Sequence, residues 1–386
     1  MGTSQQRIVI IGGGVIGLSA ALAAIEFGHH VTVIDPLIEN HALGAGASWM
    51  AGGMLAPVTE AWFGEEARLA LDITALKAWP AFADKVSQIS GRKLAINTAG
   101  TIQIALDIDD ARELERVRTF QNSMGLKVEA LTRDQLLELE PLLSPRVVAG
   151  SLISTDLSVD NRAFVETLQL ACTKSGVRLI PSRVIGMTTA NDHIIGIESS
   201  AGYYECDEVV IAAGAWSGEF LKMINMDGSM PAIRPIRGEI LRLKSDIPAL
   251  RHTLRAQVHG FQIYLVPREN GEVVVGATQL ERGFDVRPTA GGVYELLRDA
   301  CELLPYVKEM EFLEVGVGLR PGSPDNAPII DHVPGINNVI LATGHYRNGI
   351  LLSSIAGDVI AALINRSQLP GDAHLVSLGR FIEVTK

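Results

Sequence analysis

The stretch RIVIIGGGVIGLSAALAAIEFGHHVTVID, Arg7 to Asp35, constrains this chain more tightly than any other. The β-branched run Arg7–Ile11 predicts a strand, the alanine- and leucine-rich Gly14–Glu26 a helix, and His30–Ile34 a second strand. Between strand and helix, Gly12, Gly14 and Gly17 stand at G-x-G-x-x-G spacing. Gly12 serves the tight turn, Gly14 the approach of a pyrophosphate to the backbone, and Gly17 the close packing of helix on strand. The helix N-terminus then offers unpaired N–H groups and a partial positive charge to phosphates. Asp35 ends the second strand, where a carboxylate accepts hydrogen bonds from ribose hydroxyls and repels a 2′-phosphate. Strand, turn, helix, strand and acid fall in register, which predicts dinucleotide binding.

Ile8–Ile25 carries no charge, so a hydropathy window reads it as a membrane span or a leader. Its glycines and its strand-turn-helix grammar argue instead for the buried first unit of a parallel sheet, whose strands are apolar on both faces. At 386 residues and 47% hydrophobic content, the chain has material for two domains with large cores. A net charge of -11 argues against nucleic acid or anionic membrane as a partner, but not against a small anionic substrate held by local arginines. Cys172, Cys206 and Cys301 are far apart, and the histidines, His41 among them, show no H-x-x-x-H spacing. No disulfide framework and no metal site is expected, and a reducing cytoplasm suits the chain. No G-x-S-x-G elbow suggests a serine hydrolase.

Further along, Gly44–Pro57 is crowded with small residues but too apolar for a solvated linker, and reads as a wall of the cofactor site. Helical spacing covers Glu65–Ile89, with Pro80 expected to kink or split it. A strand over Thr98–Leu106, a surface helix over Asp109–Ser123, and a capping box at Thr132 and Gln135 follow. Asp160 reads as the N-cap of a helix to about Ser175, ahead of a strand at Val177–Pro181 and a meander over Val184–Cys206. Val209–Gly218 is a buried strand ending in a glycine turn, as at the carboxyl edge of an open α/β sheet. Gly238–Leu243, Phe261–Val266 and Glu272–Gly276 predict a mostly antiparallel sheet. A helix at Val293–Leu304 and a strand at Glu311–Gly316 come next. Val339–Ala342 reads as strand, Thr343–Gly349 as loop, and Ile350–Ile364 as a buried helix, with a loosely ordered tail after Pro370.

Arg320 lies in an apolar run, and Arg347 in the loop at the mouth of the last helix. An arginine in such surroundings needs a carboxylate partner. That partner is either a protein acid, with Asp325 and Asp331 at hand, or a substrate carboxylate held by the guanidinium fork. Tyr264 on its strand reads by itself as ordinary filling.

With GGGVIGL, ASWMAGGMLAP, VVIAAGAWSG, GLRPGSPD and ATGHYRNGILL in order, the chain resembles the D-amino acid oxidase-like flavoprotein superfamily from Ile8 to Ile364. ASWMAGGMLAP and GHYRNGILL look most like the glycine oxidases of thiamine biosynthesis. The resemblance implies an α/β plus α+β fold: a discontinuous Rossmann-like FAD domain (1–64, 145–225 and 315–386) and an interposed antiparallel-sheet substrate domain (65–144 and 226–314). It implies noncovalent FAD, with Gly12, Gly14, Val15, Ile16, Gly17, Asp35 and Pro36 toward the ADP part. Ala47, Ser48, Gly52, Gly53 and Met54 would face pyrophosphate and flavin, and Val184 the adenine. His345, Tyr346, Arg347, Asn348, Gly349, Ile350 and Leu351 would wrap the flavin ring. Arg320 matches the substrate-carboxylate arginine, and Tyr264 and Arg347 match further substrate-side positions. Gln262 and Gln279 stand where glycine oxidases carry a histidine and a methionine, and Asp35 replaces a glutamate. The implied activity is oxidative deamination of a small amino acid, with oxygen as acceptor and a homotetramer as assembly. The residues leave open three other readings: a flavin dehydrogenase with a different acceptor, an NAD-dependent dehydrogenase, and a flavin-binding protein without turnover.

Overall fold

Alternate residues of Arg7–Ile11 enter two different cores, which is why the run is apolar without a break. Ile8 and Ile10 pack under the helices of one face, Val9 and Ile11 against the opposite layer. A computed structural model describes residues 5–40, 44, 46–61, 63–64, 66–371 and 373–382. The strand Arg7–Ile11 sits inside a six-stranded sheet whose order is Ile329–His332, Val339–Thr343, Glu208–Ile211, Arg7–Ile11, His30–Ile34, Arg178–Ile180. All pairings are parallel except that of Ile329–His332 with Val339–Thr343. The uncharged Ile8–Ile25 run is thus strand, turn and most of the helix Val15–Glu26. Among the described residues no helix is long and apolar enough to cross a membrane.

One face of this sheet carries the helices Val15–Glu26, Asn161–Lys174 and Gly349–Ile364, with Glu66–Ser90 packed outside them. The first and last of the three approach at backbone distance: a Cβ on Gly357 would lie 2.6 Å from the Ser19 carbonyl oxygen. The opposite face is covered by the antiparallel meander Val184–Ala190, His193–Ser199, Gly202–Glu205 and the short helix Ser217–Met223.

The second sheet has eight strands in the order Glu311–Gly322, Arg234–Lys244, Glu272–Gly276, Phe261–Pro267, Thr253–Val258, Thr101–Ala105, Ala149–Ile153, Glu129–Thr132. It is antiparallel apart from the pairing of Thr253–Val258 with Thr101–Ala105. The helix Ala290–Leu303 covers one side of it, N-capped by the Thr289 hydroxyl, which accepts from the Gly292 N–H at 3.1 Å.

Several local readings meet the structure directly. Thr132 and Gln135 form the reciprocal capping box, and Asp160 caps the helix that follows it. Others are corrected. Pro80 does not split its helix, which runs unbroken from Glu66 to Ser90 (Glu65 lies outside the described residues, as does His41). Trp79 beside it is fully buried against Phe82 and Phe164 and donates from Nε1 to the Leu351 carbonyl at 2.8 Å, contacts that offset the lost backbone hydrogen bond. The strand expected at Glu311–Gly316 continues to Gly322, with Pro321 tolerated because the strand lies at the sheet edge. The strand Thr253–Val258 was not foreseen. The tail after Pro370 is not loose where described: it forms the turns Ala373–Val376 and Gly379–Ile382, with Ala373, Val376 and Leu378 buried.

Candidate active site

A cavity of about 530 Å³ runs between the carboxyl edge of the six-stranded sheet and the face of the eight-stranded one. At one end is the glycine turn. Gly12 has φ +115° and lies so close to the neighbouring strand that a Cβ would meet the Ala212 carbonyl oxygen at 2.4 Å. A Cβ on Gly17 would lie 2.0 Å from the Gly12 oxygen, so this residue packs helix on turn and does not line the cavity itself. Asp35 secures the turn, accepting from the Gly13 N–H at 2.8 Å and the Leu37 N–H at 2.7 Å, and still faces the cavity with Pro36. Val15, Ile16 and Val184 complete this end.

The wall is the small-residue segment from Ala47 to Met54, which lines the cavity throughout. It is clamped from behind by a residue that sequence reasoning missed. Asn161 Nδ2 donates to the Ser48 and Trp49 carbonyls at 2.9 and 2.8 Å, while its Oδ1 accepts from Arg242 at 3.1 Å and Arg268 at 3.2 Å. Arg268 also donates to the Gly52 carbonyl at 2.7 Å, and burial pulls its guanidinium down to about 10. Ser48 Oγ in turn accepts from the Val15 N–H at 3.1 Å.

The residues from His345 to Leu351 form the other flank, as the first turn of the last helix and the loop before it. Asn348 occupies the N-cap position without capping; its side chain donates to Asp72 Oδ2 at 3.0 Å. Gly14 likewise gives the first helix no side-chain cap. Two helix N-termini therefore bring backbone N–H groups to one cavity. His345 is buried, its Nε2 has no hydrogen-bond partner among the described residues, and burial pushes its imidazole down to about 3. It is neutral at any physiological pH.

Arg320, Tyr264, Arg347, Gln262 and Gln279 all line the same cavity. The protein-acid explanation for Arg320 does not hold. Asp325 pairs with Arg380 at 2.7 Å, and Asp331 accepts from Ser377 Oγ at 2.6 Å and the Leu378 N–H at 2.9 Å. Among the described residues, Arg320 makes a single hydrogen bond, from Nη1 to the Thr278 carbonyl at 3.3 Å, and no ion pair. Tyr264 packs its ring over Gly52 and Gly276. Burial raises its phenol above the ordinary value against the pull of Arg320 and Arg255, so it stays protonated. Arg347 is exposed, with its guanidinium 5.2 Å from the Tyr346 ring centre, and Gln262 and Gln279 are exposed as well. Glu60 and Arg255, which the sequence did not single out, form an ion pair at 2.9 Å in the cavity wall.

A glycine turn with a strand-end acid suits a nucleotide, and an arginine with no acid partner among the described residues suits an anion; the fold that joins them in one chamber is that of a dinucleotide-dependent enzyme. The chain belongs to the FAD dependent oxidoreductase (DAO) family, which it matches over residues 7–363. It is 31% identical over 382 residues to a glycine oxidase of Geobacillus kaustophilus, with 98% of each chain covered. The crystal structure of glycine oxidase from Geobacillus kaustophilus superposes with a TM-score of 0.88 at 29% identity, covering 97% of this chain and 99% of that one. A bifunctional ThiO/ThiG protein of Trichormus variabilis is 31% identical over 360 residues; the match takes in 92% of this chain and 52% of that protein. FAD fits what is present: two helix N-termini whose N-cap residues, Gly14 and Asn348, form no side-chain cap, a turn at which a Cβ would collide, and a wall of small residues.

Proposed function

We propose that the chain oxidises glycine or another small amino acid or amine, such as sarcosine or a small D-amino acid, with noncovalent FAD and with oxygen as electron acceptor. The products are the imino acid, which hydrolyses to an oxo acid and ammonia, and hydrogen peroxide. Bound FAD supplies the hydride acceptor. The residues around it supply position and electrostatics. Arg320 holds the substrate carboxylate, and the protonated Tyr264 hydroxyl and the Arg347 guanidinium orient it from the substrate side. The N-terminus of the helix Gly349–Ile364 favours negative charge where reduction builds it. Residues 1–64, 145–225 and 315–386 serve the cofactor, and 65–144 and 226–314 the substrate. By resemblance to the glycine oxidases of thiamine biosynthesis, and with ThiO/ThiG proteins among its relatives, the product serves the thiazole branch of that pathway. The same resemblance supports a cytoplasmic homotetramer.

The observation that carries this reading is the placement of Arg320 in the cofactor cavity with no acid partner among the described residues. Anaerobic mixing with glycine, sarcosine, D-alanine and D-proline should bleach the flavin with at least one of them. Air should then return stoichiometric peroxide. Arg320→Ala should lower kcat/KM by about a hundredfold or more, mostly through KM, as loss of a charged hydrogen-bonded anchor worth ~3 kcal/mol requires. An unchanged KM removes Arg320 from this role.

A further inference from the structure

Glu60, Arg255, Arg320 and Arg347 put four charged side chains on one cavity, and they are not equally engaged. Arg255 is closed. Its Nη1 donates to Glu60 Oε1 at 2.9 Å and its Nη2 to Gln262 Oε1 at 3.1 Å, with the Arg255 and Glu60 side chains only 12% and 11% exposed. Arg320 is open, with one hydrogen bond to a backbone carbonyl. The turn that carries Glu60 is fixed from inside the protein. The buried Asp156 accepts from the Val58 N–H at 3.3 Å and the Thr59 N–H at 3.2 Å, and Gln121 Nε2 donates to the Val58 carbonyl at 2.8 Å. Burial alone would raise the Glu60 carboxyl; Arg255, Arg347 and Arg68 outweigh it and hold it below its ordinary value. Glu60 is therefore an ionised, immobile carboxylate in the wall of the substrate chamber.

We propose that Glu60 is a specificity-determining residue: by neutralising Arg255 it leaves Arg320 as the carboxylate anchor and selects amines with one carboxylate over amines with two. This deepens the proposed function and rests on it. A second carboxylate entering the chamber has to displace Gln262 from Arg255 or share that guanidinium with Glu60, and both bring like charges together in a partly dry site. A substrate with a single carboxylate meets neither cost. Glu60→Gln keeps the shape and removes the charge, so Arg255 becomes a second anion site.

The test compares glycine with iminodiacetate, the secondary amine in which a second carboxymethyl group is attached to the glycine nitrogen, and in parallel the binding of acetate and malonate to the resting holoenzyme, read by flavin absorbance or calorimetry. In Glu60→Gln the ratio of kcat/KM for iminodiacetate over glycine should rise at least tenfold, and the malonate-to-acetate affinity ratio should rise with it. The double variant E60Q/R255M has the net charge of the wild type and should return both ratios to near wild type. Loss of packing alone would make the double variant worse than either single one. Arg255→Met alone, which leaves the Glu60 charge without its partner, should move both ratios the other way. Ratios within threefold of wild type in E60Q, or no restoration in the double variant, overturn the proposal. If the wild type bleaches with no amino acid, the proposed function fails, and the acetate and malonate titrations still decide the role of Glu60.

Discussion

The guanidinium of Arg320 lies against Gly238 so closely that a Cβ at position 238 would sit 2.3 Å from Nη1 and 2.6 Å from Nη2. The two residues are on neighbouring strands, where Gly238 pairs with Gly318 and Arg320 with Ile236. The colliding atoms are the far end of a flexible side chain, so the fold can yield while the arginine cannot stay in place. Gly238→Ala should therefore retain FAD and keep its melting temperature within about 2 °C of wild type, which corresponds to no more than ~1–2 kcal/mol in a chain of this size. KM for the amino acid should rise roughly tenfold, or ~1.4 kcal/mol of lost binding. Steady-state kinetics beside a thermal melt checks this, and an unaltered KM would show that Arg320 has room to spare.

What could be read from the sequence was local. Gly12, Gly14, Gly17 and Asp35 act within one strand-turn-helix-strand unit, and Thr132 with Gln135 within one turn, so spacing alone reveals them. Arg320 could be suspected because an arginine among Val315, Val317 and Leu319 is conspicuous. The residues that escaped act across the chain. Glu60 and Arg255 are 195 positions apart, and Asn161 reaches back 113 positions to Ser48. Arg255 carries the same signal as Arg320, lying between the buried Leu254 and Ala256, but its strand was missed and the signal with it. Asn161 had none, since it directly follows the N-cap Asp160 and reads as part of a helix start. A split at Pro80 fails for the opposite reason, a local penalty overruled by tertiary burial of Trp79.

Asn161 should prove costly to remove. Asn161→Ala strips a hydrogen-bond partner from two part-buried carbonyls, Ser48 and Trp49, and from the buried guanidinium groups of Arg242 and Arg268. Unsatisfied buried groups of this kind cost ~1–3 kcal/mol each, with partial relief from water or rearrangement, so a loss of roughly 3–5 kcal/mol is expected. Because the freed segment is the cofactor wall, FAD should dissociate more readily than in a variant of equal stability elsewhere. Denaturant unfolding and gel filtration, followed by the ratio of flavin to protein absorbance, read the two effects separately. Wild-type flavin retention would mean that the segment holds itself.

Burial holds His345 near 3, against 6.5 for an ordinary imidazole. Between those values the unfolded chain carries a proton on this residue that the folded protein does not. Stability therefore rises with pH across that window and is lost as pH falls from about 6.5 toward 3, by up to ~1.4 kcal/mol per pH unit from this group. His345→Asn cannot titrate and should show a shallower slope by up to that amount between about pH 4 and 6. Urea unfolding of the holoenzyme with excess FAD at stepped pH measures it. Parallel slopes for the two proteins would mean that His345 is protonated in the folded state.

Gly357 offers the sharpest check on how the two ends of the chain are joined. A Cβ there would lie 2.6 Å from the Ser19 carbonyl oxygen and 3.0 Å from its carbon, atoms of a helix backbone that cannot rotate aside. Alanine is worth ~1 kcal/mol over glycine inside a helix, while overpacking of this kind costs ~1–3 kcal/mol. The balance should fall on the destabilising side by up to ~2 kcal/mol. Gly218→Ala is the control: it too is helical, but nothing lies within 4 Å of the added methyl, so it should be neutral or slightly stabilising. The helices that Gly357→Ala pushes apart are the two whose N-termini face the cofactor cavity, Val15–Glu26 and Gly349–Ile364. Their separation should weaken FAD affinity as well as lower the melting temperature, while Gly218→Ala changes neither. If Gly357→Ala melted above wild type, helix propensity would have outweighed the contact, and the close crossing of the first and last helices would be wrong.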